Sequence, residues 1–369
     1  MIPVCEPFLS GKELEYVVDC LNSNWISSQG KYIQEFEQRF ARYCGCQHGI
    51  STTSGTTALH LALAALGIGA GDEVIIPAFT MIATAFAVAY TGARPVLVDS
   101  EPETWNIDTG RIEARITPGT KAIMPVHIYG HTCDMDPIME LARKHRLHVV
   151  EDAAEAHGAE YKGRKAGGIG HVNCFSFYAN KIITTGEGGM VITDDAGIAE
   201  RAAALKDLAH SREKRFLHTD IAFNYRMTNL QAAIGLAQFE KIDELLERRR
   251  AHAHLYNSLL QDIVGIKLPV EKEWAKNVYW MYGILVEDSF GLTRDELMAA
   301  LRGRGVDTRA FFIPVHQQPA FLKKGLFRDE SCPVAEMLAQ RGLYLPSGSG
   351  LTEQQIHEVC TAIQTIAGV

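Results

Sequence analysis

The chain has no CxxC pair, no apolar run of membrane-span length and no excess of basic charge, and each lack removes a class of function. Eight cysteines are scattered through 369 residues, with Cys44-Gly-Cys46 the only close pair. No His or Cys partner stands at zinc-finger spacing, so no metal site is expected. Scattered thiols in a chain of this size fit a reducing compartment, and a cytoplasmic protein is expected. No window approaches the ~18 uninterrupted apolar residues of a membrane span. The opening Met-Ile-Pro-Val-Cys-Glu-Pro lacks the basic and apolar regions of a signal peptide. Asp and Glu outnumber Lys and Arg, 44 to 36, and a formal charge of −8 speaks against a general nucleic-acid binder. Low-complexity tracts and repeats of 20–50 residues are missing too. So is a G-x-G-x-x-G strand–helix unit, which ranks an ordinary dinucleotide-binding protein low.

What is present is an ordinary globular composition, 47% apolar and 22% charged, in a chain long enough for two domains. Ser10-Gly-Lys-Glu13 resembles a capping box before an amphipathic helix carrying Leu14, Val17, Val18 and Leu21. Tyr32, Ile33, Phe36 and Phe40 mark a second helix. From about residue 50 strands and helices alternate. Strands are expected at Glu73–Pro77, Pro95–Asp99, Lys121–Val126 and His148–Asp152, and helices at Thr56–Leu66, Ala83–Tyr90 and Asp134–His145. That order implies a mainly parallel sheet buried on both faces. Near Leu236 a long charged helix begins, expected to run to Leu260 with Glu247-Arg-Arg-Arg250 as a solvated face. Beyond it, strand and helix patterns suggest a smaller α+β domain. The expected division is a large α/β domain over 1–245 and a small one over 246–369.

One stretch stands apart. Ser176-Phe-Tyr-Ala-Asn-Lys181-Ile-Ile-Thr-Thr-Gly186-Glu-Gly-Gly189 reads as a strand end, a lysine, and a glycine-bounded turn into another strand. A lysine on an irregular turn between buried strands suits an imine-forming amine, because desolvation lowers its pKa. A solvated loop lysine is the plainer alternative. Three further features fit one ligand. Thr53-Ser54-Gly55-Thr56-Thr57 opens a helix, and free N–H groups with hydroxyls there make an anion site, or simply an N-cap. Asp152 ends a strand, where ligands of parallel sheets bind, and an acid there can pair with a protonated pyridine nitrogen, or cap a helix. Glu155 and His157 follow close by. Phe79 lies just past a strand and could stack on a flat ring, though core packing is the commoner fate of phenylalanine. Phosphate anchor, pyridinium partner and amine are together the set that pyridoxal phosphate requires.

Further segments make the pattern specific: Trp25-Ile-Ser-Ser-Gln-Gly30, Pro77-Ala-Phe-Thr80, Glu151-Asp-Ala-Ala-Glu-Ala-His-Gly158 and Asn224-Tyr-Arg-Met-Thr-Asn-Leu-Gln231. With the stretches above, the whole chain resembles the DegT/DnrJ/EryC1/StrS family of sugar aminotransferases. The resemblance implies the aspartate aminotransferase-like fold, PLP fold type I, with a mainly parallel seven-stranded-type sheet, and a homodimer with active sites at its interface. It implies that Lys181 carries the cofactor covalently, Asp152 pairs with the pyridine nitrogen and Phe79 stacks on the ring. Ser54, Gly55, Thr56 and Ser176 would hold the phosphate, joined by Asn224 from the neighbouring subunit. Glu155 stands where the family more often has glutamine, against the cofactor 3-hydroxyl. A branch of the family replaces the lysine with histidine and dehydrates at C3; Lys181 argues against it. Tyr178–Gly189 is most similar to enzymes that move an amino group from L-glutamate to C4 of GDP-4-keto-6-deoxy-D-mannose. UDP-linked 4-keto sugars are the alternative. Phe311-Phe-Ile-Pro-Val-His316 resembles the family's sugar-nucleotide region, placing Phe312 and His316 near substrate. A non-catalytic regulator that binds cofactor and sugar nucleotide is the rival of another class, and no output domain in the sequence supports it.

Overall fold

The computed structural model describes residues 1–211, 213–214 and 216–368. At its centre is a seven-stranded sheet. Its strands are β1 (His48–Thr52), β2 (Glu73–Pro77), β3 (Arg94–Val98), β4 (Thr120–Ile123), β5 (His148–Asp152), β6 (Val172–Ser176) and β7 (Gly189–Thr193). Their spatial order is β1-β7-β6-β5-β4-β2-β3. Pairings are parallel from β3 through β2, β4 and β5 to β6, and antiparallel only where β7 meets β6 and β1. Both faces are buried, which is why these strands read as nearly continuous apolar runs. Along β2, Val74 and Ile76 enter the main core with Leu59, Leu63 and Ala87. Ile75 between them enters a second cluster with Val98, Ile123, Ile138 and Val149.

Helix boundaries follow local chemistry. The helix Gly55–Ala65 starts at a reciprocal cap, the Ser54 hydroxyl accepting from the Thr57 N–H and the Thr57 hydroxyl accepting from the Ser54 N–H. The expected capping box at Ser10 does not form. Glu13 turns inward instead and accepts from the Gly11 N–H and from Gln238 Nε2, while Ser10 Oγ accepts from Lys241 Nζ. The long helix expected over Leu236–Leu260 is two helices, Asn229–Phe239 and Ile242–Leu260, with a break at Glu240-Lys241.

A four-stranded antiparallel sheet forms the other layer, in the order Ile266–Lys267, Tyr282–Val286, Gly342–Leu345, Arg309–Ala310. Its core joins Tyr256, Leu260, Tyr282, Ile284, Leu297 and Ile356. Within the helix Ile242–Leu260, Leu245 and Leu246 face the main core, and Ala253, Tyr256 and Leu260 face this one. Ile2 also packs here, bridging to Val306, so the first residues of the chain belong spatially with its last third.

That helix carries a correction. The run Glu247-Arg-Arg-Arg250 is not a solvated face: Arg249 is buried and Arg250 half-buried against Glu271, leaving Glu247 and Arg248 outside. Arg249 continues the stripe Ile242, Leu245, Leu246, Ala253, Tyr256, Leu260, all buried at helical spacing.

Candidate active site

The topology gathers the suspected residues at one edge of the large sheet. β5 and β6 run parallel and end at Asp152 and Ser176. β7 begins there at Gly189, opposite both Ser176 and Thr52. The Gly55–Ala65 helix therefore points its N-terminus at the carboxyl ends of the strands, where open sheets bind ligands. The close approach needs glycine. A Cβ on Gly55 would lie 2.6 Å from the Ser176 Cβ, and one on Gly189 would lie 2.3 Å from the Ser54 carbonyl oxygen. Gly55 and Thr56 sit in the first helical turn, whose N–H groups have no intrahelical partner.

Lys181 sits on the turn after β6, its N–H bonded to the Tyr178 carbonyl. Its side chain is 9% exposed, and Nζ lies 3.9 Å from Glu155 Oε1 and 3.5 Å from the centre of the Trp280 ring. Burial drives its pKa below the ordinary lysine value, against the pull of Glu155 and Asp152; Arg249 adds to the lowering. The turn closes through Gly186, at φ +80°, and through the Phe177 carbonyl, which accepts from the Thr185 N–H and the Thr184 hydroxyl.

Asp152 is buried. Its Oδ2 accepts from the Thr84 hydroxyl at 2.8 Å and its Oδ1 from the Ala154 N–H at 3.2 Å. Thr84 is itself linked to Thr80 at 2.9 Å. Burial raises the Asp152 carboxyl above its ordinary range despite these bonds. An adjacent cation such as a pyridinium would reverse that cost. Glu155 Oε2 accepts from the Tyr129 N–H at 2.8 Å, and burial pushes this carboxyl up to about 7. Glu151 is as deep, yet it is held below its ordinary value. Burial opposes that, but its bonds to His127 and to the Gly170 and Gly167 N–H groups prevail. His157, whose pKa burial lowers to about 3, packs as a neutral ring among Phe40, Phe175 and Phe177.

The other expected residues lie elsewhere. Phe79 has no exposed surface and is enclosed by Tyr129, Phe311 and Phe312, with ring centres 5.8–6.1 Å away. This is core packing, and it leaves Phe79 no free ring face within the chain. Phe312 joins the same aromatic group through Tyr129 at 5.4 Å. His316 is buried and bonds Glu336 rather than facing the lysine. Asn224 is exposed, its Oδ1 accepting from Arg226. Thr84, Tyr129, Trp280 and Arg249 escaped the sequence reading. Only Arg249 carried a signal, its place on an apolar helical stripe; the others arrive from distant segments.

A glycine-lined helix N-terminus, a hydroxyl at a strand end, a buried acid lacking a cation and a desolvated lysine fit pyridoxal phosphate. The fold and site define a pyridoxal phosphate-dependent aminotransferase of fold type I. The chain belongs to the DegT/DnrJ/EryC1/StrS aminotransferase family, whose model matches residues 7–364. It is 46% identical to "GDP-perosamine synthase" of Caulobacter vibrioides, over 99% of this chain and 98% of that protein. It is 41% identical to "dTDP-3-amino-3,4,6-trideoxy-alpha-D-glucose transaminase" of Streptomyces venezuelae, covering 91% and 87%. The solved "putative sugar aminotransferase Spr1654 from Streptococcus pneumoniae, PLP-form" superposes with a TM-score of 0.93 at 27% identity, covering 100% and 98%.

Proposed function

We propose that this aminotransferase moves the amino group of L-glutamate to C4 of GDP-4-keto-6-deoxy-D-mannose, giving GDP-perosamine for a surface polysaccharide. The observation that carries the amine chemistry is Lys181, buried between Glu155 and Trp280 beside the strand-end acid. Likeness to a GDP-perosamine synthase over nearly the whole of both chains supports the substrate.

Pyridoxal phosphate supplies, when bound, an electron sink and the carbon that relays the amino group. Lys181 would carry it, and the residues do the rest. Asp152, held by Thr84, would pair with the pyridine nitrogen and favour its protonated form. The Gly55 and Thr56 N–H groups and the Ser176 hydroxyl would hold the phosphate, joined by Asn224 if the protein pairs as a homodimer. Lys181 Nζ, as the neutral amine that burial favours, would take the proton from the glutamate α-carbon. In the second half the ammonium form of Lys181 would be the proton donor at C4 of the sugar, whose keto oxygen leaves as water when the amino nitrogen takes its place. Glu155, 3.9 Å from Lys181 Nζ, would also meet the cofactor 3-hydroxyl. Alternation of two substrates on one lysine gives ping-pong kinetics. Phe79 would act from beneath the site through Tyr129 and Phe312, not by direct stacking, and Phe312 and His316 would shape the substrate side. Exposed Met81 and Tyr178, next to the loops that carry Phe79 and Lys181, support the dimer reading.

The test is an activity panel of GDP-, UDP- and dTDP-linked 4-keto sugars with glutamate, following 2-oxoglutarate and amino sugar. Preference for the GDP substrate is expected, and preference for another base overturns the assignment. No 2-oxoglutarate with any of them would favour the regulator reading.

A further inference from the structure

Trp280 lies 99 residues from Lys181, in the segment leading to an inner strand of the small sheet, yet its ring centre is the nearest defined partner of the lysine amine at 3.5 Å. Among the described residues, Nζ makes no hydrogen bond, and Glu155 at 3.9 Å is its one carboxylate within ion-pair reach. The indole is fixed from three sides. Its Nε1–H donates to the Asn180 carbonyl at 2.8 Å, beside the lysine itself. Its own carbonyl accepts from Arg249 Nη1 at 2.6 Å. Tyr129 flanks the ring at 6.2 Å. Arg249 is 3% exposed and pairs with no carboxylate among the described residues; its remaining bonds go to Ser349 Oγ and Cys5 Sγ. A buried, permanently charged guanidinium is costly, and here its strongest bond anchors the backbone of the residue under the lysine.

We propose that the indole face of Trp280 is a seat for the Lys181 ammonium whenever the lysine is not joined to cofactor, with Arg249 as the positioning residue that holds the seat in place. This rests on the reading of Lys181 as the reacting amine. A two-step transfer requires that amine both as base and as acid. Burial and the charge of Arg249 favour the neutral form, and Glu155, Asp152 and Cys5 favour the ammonium. Buried His157 also faces the lysine, as a neutral ring. The indole adds an attraction to the ammonium that needs no further buried anion, since the negative face of the ring meets the charge. It thereby sets the balance between the two forms at a fixed position.

The test uses cofactor-free protein reconstituted with pyridoxal phosphate, following the rate of imine absorbance against pH. The rate reports the neutral fraction of the free lysine. Trp280→Leu should move the midpoint of the profile down by about one pH unit, and Trp280→Phe should leave most of it in place. Should the leucine variant not fold, incorporation of mono-, di- and trifluorotryptophan weakens the ring face without changing its shape. The midpoint should fall stepwise with fluorination in the natural sequence and stay fixed in Trp280→Phe. An unchanged midpoint in Trp280→Leu, or across the fluorinated series, overturns the seat. Lys181→Ala separates the two readings: if it still forms the imine chromophore, Lys181 is not the reacting amine and the broader reading fails instead.

Discussion

Thr84 offers the sharpest perturbation of the cofactor side. Its hydroxyl, fully buried, donates to Asp152 Oδ2 at 2.8 Å and is linked to Thr80 at 2.9 Å. Thr84→Val keeps the shape and removes the donor to Asp152 along with the acceptor for Thr80. A hydrogen bond to a charged group contributes about 1.5–3 kcal/mol, so the loss corresponds to roughly 10- to 150-fold. The direction follows from what the bond favours. It stabilises the Asp152 carboxylate against burial, so without it the carboxyl rises further and holds the pyridine proton less well. Cofactor affinity and kcat/KM should therefore both fall by a factor in that range, measured by fluorescence titration of the apoenzyme and by 2-oxoglutarate release. Thr84→Ser, which restores the donor, should recover most of both. If Thr84→Val binds cofactor and turns over like the natural enzyme, the claim that Asp152 acts through an oriented, charged carboxylate is refuted.

Other perturbations give distinct readouts. Gly55→Ala forces a methyl to 2.6 Å from the Ser176 Cβ, so cofactor affinity should drop at least tenfold in a titration while the apoenzyme keeps its circular dichroism. Glu155 is a carboxyl raised from the ordinary 4.5 to about 7, which makes the folded cofactor-free protein bind protons more tightly than the unfolded chain. Its stability should therefore decline as pH rises from about 4.5 to about 7, by at most about 3 kcal/mol. Glu155→Gln should flatten that decline in urea melts at several pH values; an unchanged slope counts against the buried carboxyl. Glu151 has the opposite sign: its lowered pKa gives stability that is present above its unfolded pKa and lost as pH falls through the folded one. Glu151→Ala strands the Gly167, Ile169 and Gly170 N–H groups and His127. It should lose about 3–5 kcal/mol in a denaturant melt, and a loss below about 1 kcal/mol would contradict the role of the network.

Much of the large sheet was legible because its strands are buried on both faces. β2 and β5 lie where the apolar runs put them, the ends of β3 and β4 shift by one to three residues, and β1 was not foreseen. The helix Ala83–Tyr90 is placed correctly, and the cap at Ser54 shifts the next boundary by one position. Where one local signal competed with another, reading failed. Ser10 resembles a cap, but Glu13 is drawn inward by Gln238, a residue 225 positions away. Glu247–Arg250 resembles a solvated face by charge alone, yet the helical period already put Arg249 on the buried stripe. Phe79 illustrates the opposite limit. Its place beside a strand end allowed either a stacking or a core role, and only the neighbours Tyr129, Phe311 and Phe312, from two other segments, fill the space around it.

The sequence by itself determined the alternation of strands and helices, the acid at the end of β5, the glycine-bounded lysine turn and the family. These depend on local periodicity, on turn chemistry and on motifs that stay contiguous in the chain. Tertiary structure alone decided the environment of the lysine: a carboxylate from one loop, an indole from the other layer, and a buried guanidinium behind it. Burial, proximity and field have no sequence period, because they arise only when segments a hundred residues apart close on the same few ångströms.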